Sequence, residues 1–127
     1  MVVKVIDASA LVASIFLEQE AGLIDGRTAG AELAAPARLG FEMANACRTK
    51  LQRNPGVRDV LLTQFRSYLA MSVNIHEIDL LATLLLAEQF DLTAYDASYL
   101  WLACELDAEL VTLDRRLARA AARLSQT

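Results

Sequence analysis

Two apolar runs in this chain stop on an aspartate. One ends at Asp7 in "VVKVIDASALV", and Leu110 to Leu113 ends at Asp114 in "ELVTLDRRL". Two more acids stand in apolar surroundings: Glu42 between Phe41 and Met43, and Asp96 at the head of "DASYLWLACEL". Carboxylates brought together repel and raise one another's pKa, so several at one edge require cations. The sequence offers no obvious buried Lys or Arg beside Asp7 or Asp96. A hard divalent ion answers that need, because Mg²⁺ prefers oxygen ligands and takes one or two protein carboxylates together with waters. Ser9, two residues after Asp7, and Thr112, two before Asp114, add hydroxyls suited to a water or a phosphate oxygen. With Thr112 and Asp114 both on a strand, their side chains leave the same face.

Each acid also has an ordinary structural role. Asp7 and Asp114 precede helical stretches, where an aspartate N-cap is worth about 1 kcal/mol. "TAYD", Thr93 to Asp96, fits a capping box. Arg38 lies one helical turn before Glu42 and suits an ion pair worth a few tenths of a kcal/mol. Capping and metal binding are compatible for one aspartate, since a helix N-terminus favours negative charge.

The elements that must bring these residues together follow from periodicity. Val2–Ile6 is β-branched and almost continuously apolar, as suits a parallel strand covered on both faces. Helical spacing follows over Ala8–Glu18 and again around Gly22–Thr28, then a short strand over Glu32–Ala35 ends at Pro36. Ala37–Arg53 carries a Leu39, Met43, Cys47 stripe and stops at "NPG". Val57–Leu69 is a further helix, Val73–Ile78 alternates like a strand, and Asp79–Phe90 and Tyr95–Leu106 are helical. Glu109–Leu113 is a strand and Arg115–Leu124 a closing helix. Strands alternating with helices imply an α/β domain with a mainly parallel sheet, its functional crevice beyond the carboxyl ends of the strands. Asp7 and Asp114 both stand at such ends.

Composition sets the frame. The chain has 127 residues, 55% of them hydrophobic, enough for one domain over residues 1–127 with its own core. Lys4 and the apolar residues after it imitate a signal peptide, but Asp7 interrupts them and Ala8–Leu17 is too short to span a bilayer. Cys47 and Cys104 stand far apart in helical stretches and belong to no C-x-x-C pair, so they read as buried free thiols of a cytoplasmic protein. The net charge of −4 argues at first against nucleic acid. The basic residues are clustered, however. Arg48, Lys50 and Arg53 form one group and Arg115, Arg116 and Arg119 another, so a basic track for phosphates is compatible with overall acidity. Tyr95, beside Asp96, is a candidate for stacking on a base. Tyr99 and Trp101 suit the core or a dimer surface, and His76, away from all these motifs, is assigned no catalytic role.

"VIDASALV", "PARLGFEMANACR" and "AYDASYLWLACELDAELVTLDRRLARAA", in that order, resemble the PIN-domain family, and within it the VapC-type ribonuclease toxins. The resemblance covers almost the whole chain; Val57 to Leu92 matches only in helical character. It implies a parallel sheet of four or five strands flanked by helices, a homodimer, and Mg²⁺- or Mn²⁺-dependent endonucleolytic cleavage of RNA to a 5′-phosphate and a 3′-hydroxyl. The family's four acidic positions fall on Asp7, Glu42, Asp96 and Asp114, as catalytic and metal-holding groups, and its hydroxyl position on Thr112. A toxin of this kind has a separately encoded antitoxin partner.

The expected chemistry is hydrolysis by an activated water, with one or two ions (about 3.5–4 Å apart where there are two) neutralising charge on the phosphate and the leaving oxygen. A catalytically silent module that binds RNA or a protein is the alternative. Phosphoryl transfer through an aspartyl phosphate on Asp7 ranks below both, because the second acid expected two residues on is Ser9. No Gly-rich loop follows Asp7, which excludes a dinucleotide-binding fingerprint.

Overall fold

The computed structural model describes residues 1–125; the last two residues of the expected 1–127 domain lie outside them. Four strands, β1 (Val3–Ile6), β2 (Glu32–Pro36), β3 (Val73–His76) and β4 (Glu109–Val111), form one sheet in the order β3-β2-β1-β4 with every pairing parallel. The helices are α1 (Ala8–Ile15), α2 (Ala21–Thr28), α3 (Arg38–Arg53), α4 (Arg58–Leu69), α5 (Leu80–Phe90), α6 (Ala94–Glu105) and α7 (Arg115–Ser125), with a 3₁₀ turn at Pro55–Val57 before α4. The expected α/β class and parallel sheet are both present, with four strands.

The central strand β1 is covered on both faces, and Val5 and Ile6 are fully buried. Helix α6 packs across β1, β2 and β4 through a block in which Tyr99, Leu100 and Leu102 are all about 1% exposed. Leu39, Met43 and Cys47 of α3 form the expected apolar stripe and are buried. From β1 the chain crosses to β2 on one side, and returns much later to β4 on the other. The crevice this reversal opens lies between the carboxyl ends of β1 and β4. At the opposite edge, Glu109 takes ion pairs from Lys4 (3.1 Å) and Arg27 (2.8 Å). These hold its carboxyl below the ordinary value, the Arg27 bond contributing most.

Three expectations need correction. The first helix ends at Ile15, not Glu18: Leu17 turns into the left-handed region at φ 53°, and the Glu18 and Leu17 amides fold back onto the Ala13 and Ser14 carbonyls. Strand β4 ends at Val111, so Thr112 and Asp114 lie in the turn beyond it and do not share a strand face. Cys104 is exposed on the outer side of α6, whereas Cys47 is the buried free thiol expected.

Replacing Leu102, fully buried in the helix that packs on β1, β2 and β4, by Ala is expected to cost about 2–5 kcal/mol in urea unfolding. Leu69→Ala, at a position 65% exposed, is expected to stay within about 0.5 kcal/mol. Comparable losses for the two would contradict this core.

Candidate active site

Asp7 caps α1, its Oδ1 accepting from the Ala10 amide at 3.1 Å, and its side chain is only 6% exposed. The backbone continues the ladder one step past β1, with the Asp7 amide donating to the Val111 carbonyl. Two hydroxyls complete the carboxylate: Ser9 donates to Oδ1 at 2.7 Å and Thr112 to Oδ2 at 2.6 Å. Each hydroxyl has one proton, so both are committed to Asp7, and the 3.3 Å contact between the two oxygens has none left to share. Both oxygens also accept backbone protons, Ser9 from Leu113 at 2.9 Å and Thr112 from Asp114 at 3.0 Å. The network runs one way, from the β4 turn through two hydroxyls into a buried anion.

Asp114 caps α7 by accepting from the Leu117 amide at 3.0 Å. Glu42 accepts from the buried Tyr99 hydroxyl at 2.8 Å and lies 3.2 Å from Nε of Arg38, the ion pair expected one turn apart. That Nε–H is off line for a hydrogen bond and has no other partner. Asp96 sits in the first turn of α6, where its amide donates to Thr93 as in a capping box.

The four acids feel one another around a ring: Asp7 is raised by Asp114, Glu42 by Asp7 and Asp96, and Asp96 by Asp114. Burial is the leading cause that lifts Asp7, Glu42 and Asp96 above ordinary carboxylates. Hydrogen bonds from Thr112, Ser9 and Ala10 offset part of the rise at Asp7. Tyr99, buried against Glu42, holds its proton far above the usual phenol range.

Arg38 was read from sequence only as a helix-surface partner for Glu42, yet here it draws down both Glu42 and Asp96 and lies over the Tyr95 ring at 3.6 Å. Half-exposed Arg38 thus stands beside Asp96 as well as Glu42. Phe41, read as part of an apolar helix segment, is 81% exposed next to Glu42. Tyr95 is exposed on the other flank. Of the basic residues, Arg115 and Arg116 open α7 directly beside Asp114, and Arg116 bonds to the carboxylate and carbonyl of Asp91. Arg119 lies a turn further along α7. Lys50 pairs with Glu18 at 2.7 Å. Arg48 and Arg53 are exposed further down α3; at about 1.5 Å per residue, Arg53 lies roughly 16 Å along the helix from Glu42. The two basic groups thus do not meet as one patch beside the acids.

With this geometry in view, residues 4–123 match the sequence family described as the PIN domain. The chain belongs to the PIN-domain family. A crystal structure of PAE2754 from Pyrobaculum aerophilum has the same fold at a TM-score of 0.74, with 27% identity over the whole of both chains. No curated protein matches the chain in sequence. PIN domains are in general nucleases that act on RNA and use divalent metal ions. Among the described residues no helix is long and apolar enough to cross a membrane.

The donor set of this PIN domain suits such an ion chemically. Every candidate ligand atom is an oxygen, the carboxyls repel one another, and Arg38 and Arg116 are the cations drawing on Asp96. Among the described residues, however, no three acids stand close enough to grip a single ion between them.

Burial raises the folded Asp7 value above the 3.8 of an unfolded aspartate. Between those two values the folded chain binds the extra proton, so stability falls as pH rises through that window and is level above it. Asp7→Asn keeps the shape and removes the charge, while its amide nitrogen replaces one acceptor and turns the hydroxyl that faces it. In chelator its melting temperature relative to the parent chain is therefore expected to be a few degrees more favourable at neutral pH than at about pH 3. A relative melting temperature that falls from pH 3 to neutral pH would show that the ionised carboxylate stabilises the fold.

Proposed function

We propose that this PIN domain is a divalent-metal-dependent endoribonuclease, the toxin of a type II toxin–antitoxin pair. The observation that supports it is the ring of four mutually repelling acids, three of them raised by burial, at the carboxyl edge of the parallel sheet. Asp7, Glu42, Asp96 and Asp114 would hold Mg²⁺ or Mn²⁺, which supplies positive charge for the phosphate and acidifies a water.

The chain's own residues have separate tasks. Ser9 and Thr112 fix both oxygens of Asp7, so its direction is set before any ligand arrives. Tyr99 and Arg38 hold one oxygen of Glu42 and leave the other open. Asp96, half-buried in the first turn of α6, is tied to Thr93 through its amide and not its carboxylate, which leaves its oxygens for the ion. Arg115 at the head of α7 offers a phosphate contact that positions RNA without reading its sequence.

Helix α5 supports a homodimer. Leu80, Leu81, Leu84 and Leu85, spaced one turn apart in pairs, are 55–79% exposed and form an apolar stripe with no charge among them. The antitoxin reading rests on the VapC-like sequence motifs, and the cytoplasmic reading on two free thiols.

Three measurements test these proposals. Asp7→Asn and Asp96→Asn are each expected to lower cleavage of labelled RNA by about 10²-fold or more, as does chelation of the parent protein. Calorimetry should show weaker Mg²⁺ binding by both variants. Wild-type cleavage by either variant defeats the mechanism, and metal binding without cleavage of any RNA favours a silent binding module. In sedimentation equilibrium the parent chain is expected to be a dimer and Leu81→Glu/Leu84→Glu a monomer; a monomeric parent removes the dimer.

A further inference from the structure

Beside the acids, between the start of α5 and the start of α6, lies a cleft of about 520 Å³, a volume suited to a small ligand. Pro36, His76 and Ile78 from the ends of β2 and β3 form its floor, and Leu80 and Tyr95, both exposed, stand among its lining residues. The lining also includes Arg38 and Thr83.

Those two residues carry the inference. Among the described residues, the buried side-chain polar atoms lacking any hydrogen-bond partner are Nε of Arg38 and Oγ1 of Thr83, and both belong to this one cleft. Thr83 is 2% exposed, so solvent does not satisfy it. A helical threonine ordinarily turns its hydroxyl back to the carbonyl one turn before it; here the Asp79 carbonyl receives only the Thr83 amide. Buried polar groups are overwhelmingly paired, so the Thr83 hydroxyl, which has no partner of any kind, calls for a ligand with a polar atom at its edge. Arg38 is less of an orphan, because its Nε stands 3.2 Å from Glu42 in an ion pair, but its guanidinium offers further donors.

The position of Arg38 says which ligand. Its side chain lines this cleft and also the smaller one formed by Ser9 and Glu42 on the acid side. A molecule filling the first cleft therefore abuts whatever is bound at the acids. Tyr95 lies against the guanidinium at 3.6 Å, fixing a flat aromatic and cationic wall of the kind on which unpaired bases stack. Resting on the nuclease reading above, we propose that this cleft receives one unstacked base of the RNA substrate, read by Thr83 Oγ1 and the Arg38 guanidinium while the adjoining phosphate lies at the acids. Thr83 and Arg38 are then specificity-determining residues, and exposed Leu80 gives way as the base enters.

The test is binding in EDTA, where no cleavage intervenes. The probes are RNA octamers made of abasic riboses, either throughout or with a single A, C, G or U at the centre. At least one base-bearing octamer is expected to bind the parent protein about tenfold more tightly than the wholly abasic one. Thr83→Val, which keeps the shape and loses no existing bond, is expected to bring that ratio within about twofold, and Thr83→Ser to retain it. Equal binding of all five octamers by the parent protein overturns the proposal without need of any variant. So does an undiminished preference in a folded Thr83→Val. Cleavage of a mixed RNA in Mg²⁺ separates the two readings. Cleavage with no base preference leaves the nuclease and removes the cleft, whereas base-selective binding with no cleavage removes the nuclease and leaves the cleft.

Discussion

A carboxylate buried at the end of the central strand is the constraint on which the rest of the site depends. Removing Asp7 from water is costly unless its oxygens are met by donors, and three donors meet them: one local amide and two hydroxyls. One hydroxyl comes from its own helix and the other from the turn after β4, more than a hundred residues later in sequence. Solving the desolvation problem therefore also locks β1 to β4 at the crevice, and it places Asp114 two residues beyond the Thr112 that does the locking. The same interactions that make Asp7 tolerable fix where the second acid stands.

The other side of the crevice is built differently. Glu42 and Asp96 come from helix sides, not strand ends, and what links them is Arg38, whose guanidinium draws on both carboxylates and stacks on Tyr95. Exposed guanidinium–carboxylate pairs are worth little in isolation, and this one is half exposed. Its importance lies in geometry. One side chain borders the acid side and the neighbouring cleft, so a charge change at the acids bears directly on the wall of that cleft.

Much of this was legible in the sequence, and what was not has physical causes. The strand ends were readable because a buried parallel strand writes a continuous apolar run, and an acid at its terminus breaks that run. Capping roles for Asp7, Asp114 and Thr93 were readable because an N-cap is a local interaction. Helix ends were less so. Leu17, Asp91 and Asp107 all adopt left-handed backbone at helix C-termini. A glycine there would have announced the stop, whereas leucine gives no such signal and pays a steric penalty of about 1–2 kcal/mol to make it. The roles of Arg38 and Phe41 were hidden for a related reason. A helical residue's exposure depends on what packs beside the helix, so Phe41 and Met43, two apart in one apolar stretch, end at 81% and 0% exposed. The orphaned hydroxyl of Thr83 had no local trace either, since in sequence a threonine among leucines reads as one that bonds its own helix.

The two halves of the crevice differ in how much they can adapt, which bears on how one edge serves both binding and chemistry. Asp7, Ser9 and Thr112 form a closed set in which every proton is committed, so that half has no freedom without breaking a buried bond. On the other half, Glu42 keeps an oxygen outside its two contacts, Asp96 is held through its backbone and not its carboxylate, and Arg38 has an N–H with nothing to bond. Among the described residues no three acids form one metal-holding group, so a cation here would draw on the side with unspent hydrogen-bonding capacity. The committed half thus sets a direction, and the other half keeps its oxygens and donors for whatever binds. The position of Arg38 within that second half joins it to the cleft beside it.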